Sequence, residues 1–169
     1  MLKVRLCADL KECHRLWEKF WPQECLFDLW AVRYCFAKHY AHPAEFYIAE
    51  ESGSMAGMLP LSWITETQRY SFFPGELWQG KTWLEQNKIV AQSPGAARTL
   101  LESVSGPAHL RYLSPEYLQG IAPDDEDNRC VIDETGYLFS PAQYDYSFDK
   151  FMNTFSPRSR KKLTRELNP

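Results

Sequence analysis

The chain lacks the cysteine and histidine spacings on which metal centres and disulfide frameworks depend. Its 169 residues contain five cysteines and four histidines, with no C-x-x-C pair among them. An odd number of cysteines without metal-ligand spacing argues against a zinc site and against a framework of disulfides. We therefore expect reduced, mostly buried thiols and no bound metal.

Long apolar runs are missing as well. No stretch approaches the ~20 apolar residues that a membrane-spanning helix needs. The opening residues, Met-Leu-Lys-Val-Arg-Leu-Cys-Ala-Asp, become charged too early for a secretory signal peptide. These absences predict a cytoplasmic protein without a membrane segment. We also find no internal repeat and no low-complexity segment.

What the chain does have is the composition of a globular protein. Hydrophobic residues make up 44% and charged residues 24%, both ordinary values, and a chain of this length can bury a core. Aromatic residues are frequent, at 15%. They indicate either a core of bulky side chains or a groove that stacks on a ligand, and composition alone leaves both interpretations open.

Hydrophobic periodicity predicts a strand, two helices and a β-hairpin, followed by further strands around one more helix. Asp9 and Glu12 form a capping-box pattern before the first helix, which Pro22 ends. The predicted strands are 2–6, 46–50, 55–65, 70–73, 88–91, 109–113, 129–132 and 137–139, and the other predicted helices are 26–40 and 94–104. This order predicts an α/β (α+β) fold, with a mixed, mostly antiparallel sheet and helices on both faces.

The predicted junction of strand and helix at Gln92-Ser93-Pro94-Gly95-Ala96-Ala97 is the strongest local indication of a site. The start of a helix leaves backbone N–H groups unpaired, and the helix dipole adds partial positive charge there. Such a junction can hold a phosphate or pyrophosphate, and Gly95 would let the backbone approach it closely. The alternative is an ordinary connection with Pro94 in the first helical turn, where this proline also removes one N–H.

The pattern Gln-x-x-Gly-x-Ala before a helix resembles the acyl-CoA pyrophosphate loop of the GNAT acyltransferases. The signature of that family is Arg or Gln, two residues, Gly, one residue, then Gly or Ala. The predicted order of strands and helices is also similar to the GNAT fold. The resemblance implies acyl-CoA (acetyl-CoA) as a co-substrate, bound at Gln92, Gly95, Ala96 and Ala97. Pro94 departs from the usual residue choice of the family.

A second resemblance covers more of the chain. Leu84-Glu85-Gln86-Asn87 and the later basic segment Phe-Ser-Pro-Arg-Ser-Arg-Lys-Lys-Leu-Thr-Arg-Glu-Leu are similar to tandem-GNAT proteins, the Fem-type aminoacyltransferases and the BioF-like acyltransferases. This implies that residues 1–147 are a first GNAT-like half and that residues 148–169 begin a second. The implied reaction is transfer of an acyl or aminoacyl group to an amine. The alternative is a non-catalytic half, because in several such proteins one half has lost the cofactor loop and only shapes the substrate groove.

Acyl transfer to an amine needs a base for the amine and a donor that supports the oxyanion. Glu76 is the candidate base. Tyr117 is the candidate acid, since it lies roughly where many GNAT enzymes place a tyrosine. Trp78 and Trp83 are candidates to line the acceptor groove. An exposed loop carboxylate at Glu76 and core packing of the two tryptophans are the alternatives.

The last 22 residues carry a charge opposite to that of the rest of the chain. Residues 148–169 contain six Lys or Arg against two Asp or Glu, a net charge of +4, whereas residues 1–147 carry −7. Ser156-Pro157 predicts the start of a helix, which we expect to be cut short at the end of the chain. Its basic side chains are solvated, or contact the second half and its ligand, or bind nucleic acid.

The expected partners are a small-molecule or peptide amine acceptor and the second GNAT-like half. Nucleic acid, including the aminoacyl-tRNA that Fem-type relatives use, is the least favoured partner of this half. The reason is that only one segment is basic and no aromatic residues are interleaved with its charges.

Overall fold

The computed structural model describes residues 2–75, 84, 86–113 and 139–167. The chain divides into two compact units, Met1–Glu126 and Asp127–Pro169, and each is described here by itself. The boundary that the sequence predicts after residue 147, with a second half beginning there, stays a prediction.

The first unit is a mixed α/β structure, which confirms the predicted fold class. Its sheet has five strands, all paired antiparallel. The elements are β1 (Lys3–Cys7), α1 (Leu10–Phe20), a 3-10 turn (Leu26–Asp28), α2 (Trp30–Tyr40), β2 (Ala44–Glu51), β3 (Ser54–Ile64), β4 (Arg69–Phe72), β5 (Val90–Ala91) and α3 (Pro94–Glu102).

Strand β3 is the centre of the sheet. One of its edges pairs with β2 along the whole hairpin, from Glu51 opposite Ser54 to Ala44 opposite Ser62. Its other edge is shared, because β4 pairs with residues 61–64 and β5 pairs with Gly57 and Met58. The chain therefore leaves this edge after β4 and returns to the same edge at β5.

After α3 the chain crosses back to run beside β4. Tyr70 forms a parallel bridge with Ala108, and Asn87 forms one with Leu113. The amide of His109 donates to the carbonyl oxygen of Tyr70 at 2.8 Å. The predicted strand 109–113 is therefore represented only by two isolated bridges, at Ala108 and Leu113, and α3 connects β5 to this parallel segment in the manner of a β–α–β crossover.

The two faces of the sheet hold separate cores, because successive side chains of a strand point to opposite faces. On β2, Phe46 and Ile48 pack with Trp17 of α1 and Trp30 of α2. The alternate residues Tyr47 and Ala49 pack on the α3 side. That second core also contains Leu59 and Leu61 of β3 and Ala96, Ala97 and Leu100 of α3.

Helix α1 begins as predicted. Asp9 is its N-cap, and its carboxylate accepts the amide of Glu12 at 2.7 Å. The side chain of Glu12 pairs with Arg5 of β1 instead of returning to the cap. One half of the predicted capping box is therefore formed, and its other residue ties the helix to the edge strand.

The predicted helix 26–40 begins later than expected. Residues 26–28 form a 3-10 turn, and α2 starts at Trp30. The cause is Asp28, which is fully buried and accepts the indole N–H of Trp21 at 2.9 Å. Because this carboxylate is held between the helices, the backbone reaches α-helical geometry only after it.

The second unit is described from residue 139 onward. It contains a 3-10 turn (Pro141–Tyr144), α4 (Phe148–Met152) and α5 (Pro157–Leu167). The rings of Phe139, Tyr144 and Phe155 surround Phe151 with centroid distances of 4.9–5.2 Å. Ser156 accepts the amide of Ser159 at 3.2 Å, as the predicted helix start requires.

Candidate functional site

The junction between β5 and α3 is fixed by hydrogen bonds to β3. The amide of Gln92 donates to the carbonyl of Ala56 at 2.8 Å. The side-chain Nε2 of Gln92 donates to the carbonyl of Met55 at 3.0 Å. Both donors of this residue therefore hold the junction in place, and its side chain is occupied by the protein itself.

Some of the backbone donors at the start of α3 are also occupied. Ser93 is the N-cap, and its Oγ accepts the amide of Ala96 at 3.2 Å. Its carbonyl accepts the amide of Ala97 at 3.1 Å. Pro94 has no N–H. In the part of the chain that the structure describes, the amides of Ser93 and Gly95 are the two backbone donors of this turn without an acceptor.

The four predicted cofactor-binding residues lie together, but they face different surroundings. Gln92 and Gly95 are exposed. A Cβ atom on Gly95 would meet only Ser93 Oγ, at 3.8 Å, so the space beside this residue is open. Ala96 and Ala97 are 3% and 5% exposed, and their methyl groups belong to the core that α3 forms with the sheet.

An open pocket of about 460 Å³ lies against this junction. It is lined by Leu2, Glu51, Ala56, Gln92, Ser93, Gly95, Ala96 and Thr99. These lining residues include the carboxylate of Glu51 and no lysine or arginine. Because like charges repel, that carboxylate opposes a phosphate in the pocket, and the two free amides of the turn are a small attraction to set against it.

The other predicted site residues lie outside the described residues. These are the candidate base Glu76, the candidate acid Tyr117 and the candidate groove residues Trp78 and Trp83. Their proposed roles stay predictions. What the structure does show is how the chain is anchored on either side of residues 76–83.

A buried polar network, which the sequence analysis missed, provides that anchor. Arg33 of α2 is 1% exposed. Its Nε donates to the carbonyl of Phe27 at 2.6 Å. Its NH1 donates to the carbonyl of Phe73 at 2.9 Å and to the side-chain oxygen of Asn87 at 2.8 Å. One guanidinium group therefore bonds both sides of the segment that carries three of the predicted site residues.

Asp28 is the anionic member of the network. Its carboxylate accepts Lys88 Nζ at 2.7 Å, Trp21 Nε1 at 2.9 Å and the amides of Glu24 and Cys25 at 3.0 and 2.9 Å. Burial alone would raise the pKa of Asp28, but the hydrogen bonds from Lys88 and Trp21 outweigh it and hold this pKa below its ordinary value. The carboxylate is therefore ionised where it meets the lysine.

Arg33 keeps its charge despite its burial. Desolvation lowers the pKa of Arg33 to about 10, still well above neutral pH. Its NH2 atom is buried and has no hydrogen-bond partner among the described residues. The sequence did carry a signal for this network, since Arg33 lies at helical spacing within the apolar face predicted for residues 26–40.

Comparison with protein-family models, with curated proteins and with solved structures finds no match to this chain. None of the helices within the described ranges is both long enough and apolar enough to cross a bilayer. The same ranges contain no group of three or more histidine, cysteine or acidic side chains that could hold a metal ion.

Proposed function

We propose that this chain is the first GNAT-like half of an acyltransferase that transfers an acyl or aminoacyl group to an amine. The observation that carries the proposal is the β–α–β unit in which α3 starts directly after β5 and the chain then returns parallel to β4. This is the element order on which the sequence resemblance rests. A cytoplasmic location and a second GNAT-like half as partner belong to the same proposal.

Within that enzyme, the geometry favours an acceptor-binding role over an acyl-donor site. The start of α3 offers only the amides of Ser93 and Gly95 to an anion among the described residues, and Glu51 lies in the same pocket. A pyrophosphate needs several donors directed at it. Arg33, in contrast, anchors the segment that includes Trp78 and Trp83, the predicted acceptor residues.

Calorimetry with acetyl-CoA tests which role is correct. We expect no saturable heat from the chain alone. Heat that Gly95→Trp abolishes, and that the control variant Thr65→Trp in the exposed turn after β3 retains, would assign acyl-donor binding to this half and contradict the acceptor role. Gly95→Trp fills the open space above the free amide, whereas Thr65 lies in the turn that follows β3.

The acceptor role is tested by tryptophan fluorescence with a panel of amines and short peptides. We expect the ligand to cause a saturable change in fluorescence, because planar groups of the ligand stack on indole rings. Trp78→Ala or Trp83→Ala should remove that change. If acetyl-CoA does not bind and no amine of the panel gives a fluorescence change that Trp78→Ala or Trp83→Ala removes, the acyltransferase proposal is wrong.

A further inference from the structure

A second polar cluster lies on the α3 face of the sheet, at the end remote from Gly95. Glu45 of β2 and Tyr70 of β4 contribute to it, together with Ser105, which follows α3. The hydroxyl of Tyr70 donates to Glu45 Oε2 at 2.8 Å and lies 3.2 Å from Ser105 Oγ. Ser105 is exposed and Glu45 is half-buried, so the cluster opens to solvent.

The carboxylate of Glu45 has no cationic partner among the residues that the structure describes. No lysine, arginine or histidine of the described residues forms an ion pair with it, and its Oε1 has no hydrogen-bond donor there. Burial raises the pKa of Tyr70 to about 12, so the phenol stays protonated and remains a donor to Oε2. A half-buried carboxylate in this state is stabilised by a cation brought in from outside.

Aromatic rings stand beside this carboxylate. The rings of Trp63 and Tyr70 are 4.9 Å apart at 66°, and those of Tyr47 and Tyr70 are 6.2 Å apart at 88°. Because these rings meet at steep angles, the edge of one ring points at the face of another. The face of an aromatic ring attracts cations.

The end of α3 adds negative potential at the same place. The helix ends at Glu102, with Ser103 as C-cap, and Ser105 follows two residues later. The C-terminus of a helix carries partial negative charge, which favours cations. No basic residue occupies the last turn of α3, so the helix does not neutralise this charge itself.

We propose that Glu45, Tyr70 and Ser105 form a binding site for a primary ammonium group, as carried by an alkylamine or a lysine side chain. The ammonium donates to Glu45 Oε1 and Ser105 Oγ, and its alkyl chain lies against Trp63. The site needs no acyl donor and does not rest on the proposed acyltransferase function.

The test is a titration of the ¹⁵N-labelled chain with n-butylammonium, followed by the indole N–H resonance of Trp63, which Trp63→Phe assigns. We expect a saturable shift. n-Butanol lacks the charge, and n-butyltrimethylammonium lacks the N–H donors. Because the site uses both the charge and its hydrogen bonds, we expect each of these two probes to bind at least about tenfold more weakly than n-butylammonium. If either probe binds as tightly as n-butylammonium, the proposal is wrong, and no variant is needed to show it.

Two matched variants localise the binding. Glu45→Gln keeps the shape and removes the charge, and we expect it to weaken n-butylammonium binding about tenfold. Glu66→Gln removes the same charge from the exposed turn between β3 and β4 and should bind as the parent does. Unchanged binding by Glu45→Gln would overturn the proposal. A failure of the ammonium site can be told apart from a failure of the proposed function. The proposed function is tested by calorimetry with acetyl-CoA and by the fluorescence change that depends on Trp78 and Trp83.

Discussion

The two faces of the sheet in the first unit are closed by helices in different ways. On one face, α1 and α2 pack on the sheet through an apolar core, and buried charges add to it, with Asp28 bonded to Lys88 and Arg33 bonded to Phe73 and Asn87. On the other face, α3 is held by close apolar contact. Charged hydrogen bonds fix the direction and distance between the groups that they join, whereas apolar packing depends mainly on the shapes of the side chains.

The difference lies in the chemistry of the contacts, because both kinds join distant parts of the chain. The hydrogen bonds from Arg33 to Phe73 and Asn87 and from Lys88 to Asp28 join residues that are 40–60 positions apart. Helix α3 follows β5 directly, and its Leu100 packs where Gly57 of β3 leaves room for it. The polar face therefore defines where the segment around residues 76–83 leaves and rejoins the fold, and the apolar face keeps the crossover compact.

The largest expected effect comes from removing the charge of Asp28. Asp28→Asn leaves Lys88, whose side chain is 7% exposed, without its buried counter-ion. We expect the free energy of unfolding in urea to fall by about 3–5 kcal/mol, as when one partner of a buried ion pair is removed. Glu24 contacts the same lysine but its side chain is 66% exposed, so Glu24→Gln should cost less than about 1 kcal/mol. Equal losses in the two variants would contradict this comparison.

The same carboxylate predicts a dependence of stability on pH. Because the pKa of Asp28 is lowered in the folded chain, the folded state binds this proton less readily than the unfolded state, whose pKa is about 3.9. Its contribution is complete above the unfolded pKa and is lost as pH falls through the folded pKa. We expect the stability difference between the parent and Asp28→Asn to narrow in urea titrations below about pH 4. A difference that stays constant down to pH 3 would show that the charge is not responsible.

Two glycine substitutions give the smaller effects and have opposite signs. A Cβ on Gly57 would lie 2.9 Å from Leu100 Cδ1 and 2.9 Å from the carbonyl oxygen of Val90. Gly57→Ala should therefore destabilise the chain by about 1–3 kcal/mol, as overpacking does. Gly95→Ala meets nothing closer than 3.8 Å and should stabilise it by about 0.4–1 kcal/mol by restricting the unfolded chain. Thermal or urea unfolding of both variants checks the signs, and destabilisation by Gly95→Ala would mean that α3 begins under strain.

Local patterns sufficed for the elements that local interactions specify. The β2–β3 hairpin, the start of α1 at Asp9 and the start of α5 at Ser156 were predicted close to their observed positions. Each depends on residues within one helical turn or on apolar runs on either side of a turn. The late start of α2 was missed because it depends on Trp21 and Lys88, which bond Asp28 across the fold.

The candidate site shows the same division. The sequence places Gln92 and Gly95 at a helix start, and the structure has them there. Whether the donors of this turn are free depends on Ser93, which the N-cap rule reveals, and on Ala56 and Met55, which no spacing rule reveals. Likewise, Arg33 stands within an apolar helical face, but its acceptors at Phe73 and Asn87 are visible only once the sheet is assembled.

The shared edge of β3 has a consequence for how this protein can diversify. The ladder is complete with β4 and β5 alone, and Arg33 secures the chain just after the first and just before the second. The same side chain therefore holds the chain on both sides of residues 76–83. If the proposed acceptor role is correct, substitutions between these two anchors would change the acceptor while Arg33, Asp28 and Lys88 keep the frame.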